Sequence, residues 1–172
     1  MEMVLIQFFV AVLKLLAAIV LSVGAIYSGI GIFDRMTRGI DEWKELRKGN
    51  AAVGILFAAV IISMMLLVSP RIEQFVFYIQ PFLPVQTTLL MLAFTFINYL
   101  LDVLLSLFII YLTLNLFDRL TVGLDEMEAL KKGNVAVALM IAALLLGVVL
   151  AVRVPLDYTF QVVSALEALI FI

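Results

Sequence analysis

The chain of 172 residues is 66% hydrophobic and only 14% charged, with a formal charge of −2 and a mean hydropathy of +1.24. A soluble domain of this size cannot hide so much apolar surface, a disordered chain would not carry it, and the charge balance argues against nucleic acid as a partner. With neither Cys nor His, the chain offers no disulfide, no thiolate or imidazole metal site and no hydrolytic triad; what remains is a polytopic membrane protein, with no enzyme activity, catalytic residue, cofactor or metal expected.

A bilayer core of about 30 Å takes about 20 apolar residues as helix. Met3–Phe33 is the first such run, apolar except for Gln7 and Lys14. It lacks a basic leader and is too long for the core of a signal peptide, so it is expected to be retained as a span. Asp34 to Asn50 is polar and holds five basic residues, Arg35, Arg38, Lys44, Arg47 and Lys48. Ala51–Ser69 carries no charge and reads as the second span. The segment from Pro70 to Gln86 is aromatic-rich and broken by Pro81 and Pro84, which suits an interfacial helix or a re-entrant piece. Thr87–Phe117 is the third span, with one charge, Asp102, and Val135–Val152 is the fourth. Between them, Asp118 to Asn134 holds Arg119, Lys131 and Lys132. Pro155 to Ile172 is again ambiguous between interfacial and re-entrant. Eight basic residues lie in the two polar loops, against Arg71 and Arg153 on the other side. The positive-inside rule then places both loops in the cytoplasm and both termini outside the cell membrane.

The chain repeats itself at an offset of 84 residues. FDRMTRGIDEWKELRKGNAAV from Phe33 and FDRLTVGLDEMEALKKGNVAV from Phe117 agree at 13 of 21 positions. Each unit, 1–84 and 85–172, is a long helix, a polar hairpin, a second helix and an outer segment. Each crosses twice, so the two enter from the same side and are expected to be parallel, related by a pseudo-twofold along the membrane normal. The expected fold is all-α, with four transmembrane helices as two two-helix repeats. The hairpins followed by GNAAVGILFAAV and GNVAVALMIAAL resemble the YjfL-like inner-membrane family (domain of unknown function 350), described as paired-helix units often in tandem. That resemblance implies a fold and a membrane location, and supplies no activity.

Capping chemistry accounts for much of each hairpin. Gly39 and Gly123 can stop the preceding helix, and Asp41 and Asp125 are N-caps for a short helix, Asp125 forming a capping box with Glu128. Gly49 and Gly133 end that helix, and Asn50 and Asn134 cap the next span. Asp34 and Asp118 are less easily explained, because a carboxylate near a helix C-terminus opposes the dipole. Glu42 and Glu126 are first-turn residues, favourable but optional. Two readings stay open for Asp34, Arg35, Asp118 and Arg119: an Asp–Arg pair bridges the two hairpins across the pseudo-twofold, or the carboxylates ring a cytoplasmic pore mouth and gather a small cation. A hard-metal site from Asp34, Asp41 and Glu42 matches no calcium-loop spacing.

On the third span Thr95, Asn98, Asp102, Ser106 and Thr113 share one helical face. The offset of 84 maps them onto Ala11, Lys14, Ala18, Ser22 and Gly29. Charges within a span are costly and face protein or water. Lys14 lies about 28 Å and Asp102 about 22 Å from the hairpin ends of their helices, at 1.5 Å per residue. A buried Asp102–Lys14 pair is therefore expected, against an ion relay through Asp102 and Asn98, or a Lys14 that reaches the outer interface. Gly54-xxx-Ala58 and Ala143-xxx-Gly147 are small-residue packing faces. Two function classes fit: a small-ion channel or transporter acting as a homo-oligomer, and a non-transporting scaffold whose hairpins bind a partner protein.

Overall fold

In lipid a backbone without water satisfies its own N–H and C=O groups, and apolar runs of this length do so as helix. The computed structural model describes the backbone of residues 1–36, 41–82, 84–120 and 125–170. Within it every side chain is described except those of Ile32, Arg35, Met36, Asp118, Leu120 and residues 159–170. The helices are α1 (Glu2–Met36), α2 (Glu42–Arg47), α3 (Ala51–Phe77), α4 (Val85–Leu120), α5 (Glu126–Lys131) and α6 (Val135–Ile170), and no strand occurs among the described residues. Four of them, α1, α3, α4 and α6, are long and apolar enough to cross a membrane.

Two helices run further than the sequence predicts. The helix expected to stop at Ser69 continues through Pro70 to Phe77, and the one expected to stop at Val152 continues through Pro155 to Ile170. Proline removes one N–H from the ladder and crowds the preceding turn. Inside a helix bundle the freed carbonyls can find other partners, so the helix continues rather than stops. Residues 71–77 and 155–170 are thus helical extensions, and Arg71 lies inside a helix rather than in a loop.

The centre of the bundle is α3, which touches α1, α4 and α6; α4 also touches α1 and α6. Met64, Leu67, Val68, Ile110, Leu145 and Val149 fill the space between them. Gly29 lets α1 approach α3, since a Cβ there would stand 3.4 Å from Met64. The Tyr99 hydroxyl donates to the Leu21 carbonyl at 2.7 Å, fixing α4 against α1. The rest of α1 turns apolar side chains such as Phe8, Phe9, Leu13 and Leu16 outward, as a lipid-facing helix does.

The hairpins are built from local signals. Asp41 Oδ1 accepts from the Lys44 N–H and Asp125 Oδ1 from the Glu128 N–H, both at 2.9 Å, so each caps its short helix. Gly49 and Gly133 sit at φ +79° and +78°, which only glycine adopts without strain. The Gly49 and Asn50 N–H groups donate to Leu46 and Glu45, and those of Gly133 and Asn134 to Leu130 and Ala129. That is a Schellman ending in both copies. Asn50 and Asn134 then cap α3 and α6, each accepting from two backbone N–H groups of the new helix. Gly39 and Gly123 lie outside the described residues.

Candidate functional site

The polar stripe of α4 faces inward along its length. Thr95, Asn98, Asp102, Ser106 and Thr113 are all buried. Thr95 and Thr113 donate their hydroxyls to the carbonyls of Met91 and Ile109, one turn back, and are satisfied within the helix. Asp102 and Ser106 are not so settled. The carboxylate of Asp102 is 2% exposed; its Oδ2 accepts from Arg71 Nε of α3 at 2.7 Å, while Oδ1 is buried with no hydrogen-bond partner. Ser106, one turn nearer the hairpins, is fully buried with its Oγ also unpartnered, as is Ser63 on α3. Arg71 donates a further hydrogen bond to Gln74 Oε1. From α6, Asp157 lies close enough for its charge to act on Asp102. The result is a buried ion pair joining α3 to α4, with half of the carboxylate unused.

The expected Asp102–Lys14 pair is therefore corrected. Arg71 takes the place assigned to Lys14, which stays half-exposed on α1. The reason is the fit of α1 on α4. Tyr99 meets Leu21, 78 residues away in sequence. Lys14 precedes Leu21 by seven residues and Asp102 follows Tyr99 by three, which separates them by about 15 Å along the axis. The signal for Arg71 is a charge that directly follows an uninterrupted apolar run, Ala51–Ser69, with only Pro70 between.

At the hairpin end, Asp34, Asp41 and Asp125 are exposed, whereas Glu42 and Glu126 are 4% and 5% exposed. Burial, joined by the charge and hydrogen bond of Asp34 and the charge of Asp41, pushes the Glu42 carboxyl above its ordinary range, against one backbone hydrogen bond that favours ionisation. Its Oε1 is buried without a hydrogen-bond partner. Glu45 is the opposite case: Lys48 first, at 2.6 Å, and then Asn50 hold it ionised and below the usual range. The side chains of Arg35 and Asp118 lie outside the described residues, and with them any expected Asp–Arg bridge between the hairpins that uses either one. Among the described residues no three acidic groups converge to hold a metal ion.

Asn50 joins the two hairpins. Asn50 Nδ2 donates to the Leu130 carbonyl at 2.9 Å, at the C-terminal end of α5. Asn50 thus closes the first hairpin, opens α3 and holds the second hairpin beside it.

No curated protein and no solved structure matches the chain. One family model, described as Domain of Unknown Function (DUF350), matches it over residues 7–101 and again over 89–171; the chain belongs to that family and carries its unit in tandem.

Proposed function

We propose that this multi-pass membrane protein moves a small ion, most simply a cation or proton that meets Asp102 midway through the bundle, and that it works as a homo-oligomer in the cell membrane. The observation that carries this reading is the half-used carboxylate. Asp102 Oδ1 has no partner, with the unpartnered Ser106 hydroxyl one turn below on the same face. A carboxylate held in a bilayer for structure alone would be expected to use both oxygens, because each unsatisfied buried acceptor costs free energy. Arg71 pairs with one oxygen of Asp102 and leaves the other open to a cargo, and Asn98 extends the polar face toward the other end of α4.

The assembly argument rests on α6. Ala143 and Gly147 of its small-residue face are exposed, and a Cβ at Gly147 would meet nothing. Such a face admits close approach of another helix. Gly54, by contrast, packs on Leu46 within the chain. The pseudo-twofold between residues 1–84 and 85–172 is supported by the matching caps of the two hairpins.

Purified protein in liposomes should pass a small cation or protons down a gradient. Asp102→Asn with Arg71→Gln removes both charges and leaves hydrogen-bonding groups in place; it should insert and fold yet lose flux. Absence of flux for protons and every alkali cation in the wild type would overturn the reading. The orientation has its own test. All eight basic residues of the hairpins lie outside the spans, while Arg71 and Arg153 lie inside helices, which supports cytoplasmic hairpins and termini outside. Cys placed at Lys44 and at Lys132 should resist an impermeant thiol reagent in intact cells and react after permeabilisation. Labelling of both from outside would reverse the topology.

A second reading has its own observation. Trp43 and Met127 stand 84 residues apart on the two charged hairpins, and both are exposed. Apolar side chains there suit a scaffold that docks a partner protein, and an inactive liposome assay would favour it.

A further inference from the structure

We propose that the first hairpin is a binding surface for anionic phospholipid, with Trp43 seated at the base of the headgroup layer and Lys44 and Arg47 reaching the phosphates. Two ring contacts fix the level of Trp43. Its indole stands edge-on to Phe57 of α3 with centroids 5.7 Å apart, and Phe57 stands edge-on to Phe33 of α1 at 5.8 Å. Phe33 ends the first apolar run, directly before Asp34. The three rings therefore mark where apolar span gives way to polar hairpin, the depth at which tryptophan collects in membranes. Leu46 packs over Gly54 of α3, where a Cβ would stand 3.6 Å from its Cδ2, so α2 lies along the start of α3. Trp43 remains 50% exposed.

The exposed charge beside that ring is basic. Lys44 and Arg47 are exposed and enter no ion pair among the described residues. Arg47 follows Trp43 by four residues, which puts both on one face of α2. The acids nearby are engaged or withdrawn: Asp41 accepts from the Lys44 N–H, Glu42 is buried and Glu45 pairs with Lys48. Residues 34–50 carry five basic and four acidic side chains, net +1, whereas residues 118–134 carry three and four, net −1. At the offset of 84, Met127 stands for Trp43 and Glu128 for Lys44. The second hairpin thus has no ring at that place, and an acid where the first has a lysine. An interfacial ring joined to unpaired cations suits a headgroup of net negative charge: the indole takes the boundary with the acyl chains and the cations take the phosphate.

The chain has a single tryptophan, so its fluorescence reports this place alone. Full-length protein is reconstituted in liposomes of phosphatidylcholine and phosphatidylglycerol in equal parts, with brominated acyl chains on one lipid or on the other. Bromine quenches an indole that it touches. The same lipids fill both leaflets, so the result does not depend on which side the hairpins face, nor on whether an ion passes. At low salt the quenching should show phosphatidylglycerol favoured beside Trp43 by about fivefold, the effect of one basic side chain at an anionic surface. Lys44→Gln with Arg47→Gln should remove at least half of that preference, whereas Lys14→Gln, at the far end of α1, should leave it as in the wild type. In about 1 M salt, where the screening length falls to about 3 Å, the wild-type preference should disappear. Equal quenching by the two lipids in the wild type would overturn the proposal. So would a preference that survives the double substitution, or one that Lys14→Gln lowers as much. An indole that neither lipid quenches would also decide against it, as a ring turned to water or to a partner protein. Should the double variant fail to fold, a wild-type preference that persists in high salt sinks the proposal by itself.

Discussion

Arg71→Met is expected to cost about 3–5 kcal/mol of stability, the range for breaking a buried ion pair from one side. The substitution removes the Nε donor 2.7 Å from Asp102 and leaves a carboxylate that is 2% exposed between α3 and α4. Removing the carboxylate as well should restore much of that loss, so Arg71→Met with Asp102→Leu is expected to be more stable than Arg71→Met alone. The gain follows because a well-packed apolar pair is often no worse than the ion pair it replaces. Lys14→Met, on the half-exposed face of α1, should shift stability by less than about 0.5 kcal/mol, as surface changes do. Unfolding of the three variants in mixed detergent micelles measures this. A single Arg71→Met as stable as the wild type, or a Lys14→Met as damaging as Arg71→Met, would show that Asp102 has a different partner.

The second large effect belongs to Asn50, and it is a difference between two residues that the repeat makes equivalent. Asn134→Ala removes an N-cap, a loss of about 1 kcal/mol. Asn50→Ala removes the same cap of α3 and also the donor to the Leu130 carbonyl, a hydrogen bond that contributes about 1 kcal/mol more. Asn50→Ala is therefore expected to destabilise by about 2 kcal/mol and Asn134→Ala by about half of that. The difference should persist with serine at both positions, since serine keeps each cap and loses only the bridge. Equal losses at the two positions, measured in the same unfolding assay, would mean that the contact between the hairpins contributes nothing.

Most of the architecture was legible because its signals are local or periodic. Apolar runs gave the spans, the offset of 84 gave the repeat, and Asp, Gly and Asn at fixed places gave the hairpin caps. The inward face of α4 followed from spacing alone: Thr95, Asn98, Asp102, Ser106 and Thr113 are all buried. The partner of Asp102 was not legible, for two reasons. The segment after Ser69 reads as interfacial from its aromatic residues and from Pro81 and Pro84, whereas the helix runs on through Pro70, as it can where a bundle surrounds the freed carbonyl. And the repeat offset placed Lys14 beside Asp102, whereas the two long helices settle by side-chain packing, with Tyr99 against Leu21. The burial of Glu42 was equally hidden. A first-turn acid is favourable on any helix, and its burial belongs to the packing of α2 in the folded bundle, where α2 meets α3.

The Arg71–Asp102 pair spans the boundary between the two repeats, and this bears on biogenesis. The ribosome makes Arg71 31 residues ahead of its counter-ion. While only α1, α2 and α3 exist, the guanidinium enters the bilayer without its carboxylate, and an arginine deep in a membrane helix opposes insertion by about 2.5–3.5 kcal/mol at the helix centre and less toward its end. The emergence of α4 removes that opposition. A chain cut after residue 84 would hold the arginine and never the aspartate. What reads as two units in sequence is thus expected to insert as one, the first half reaching its resting depth when the second arrives to neutralise it.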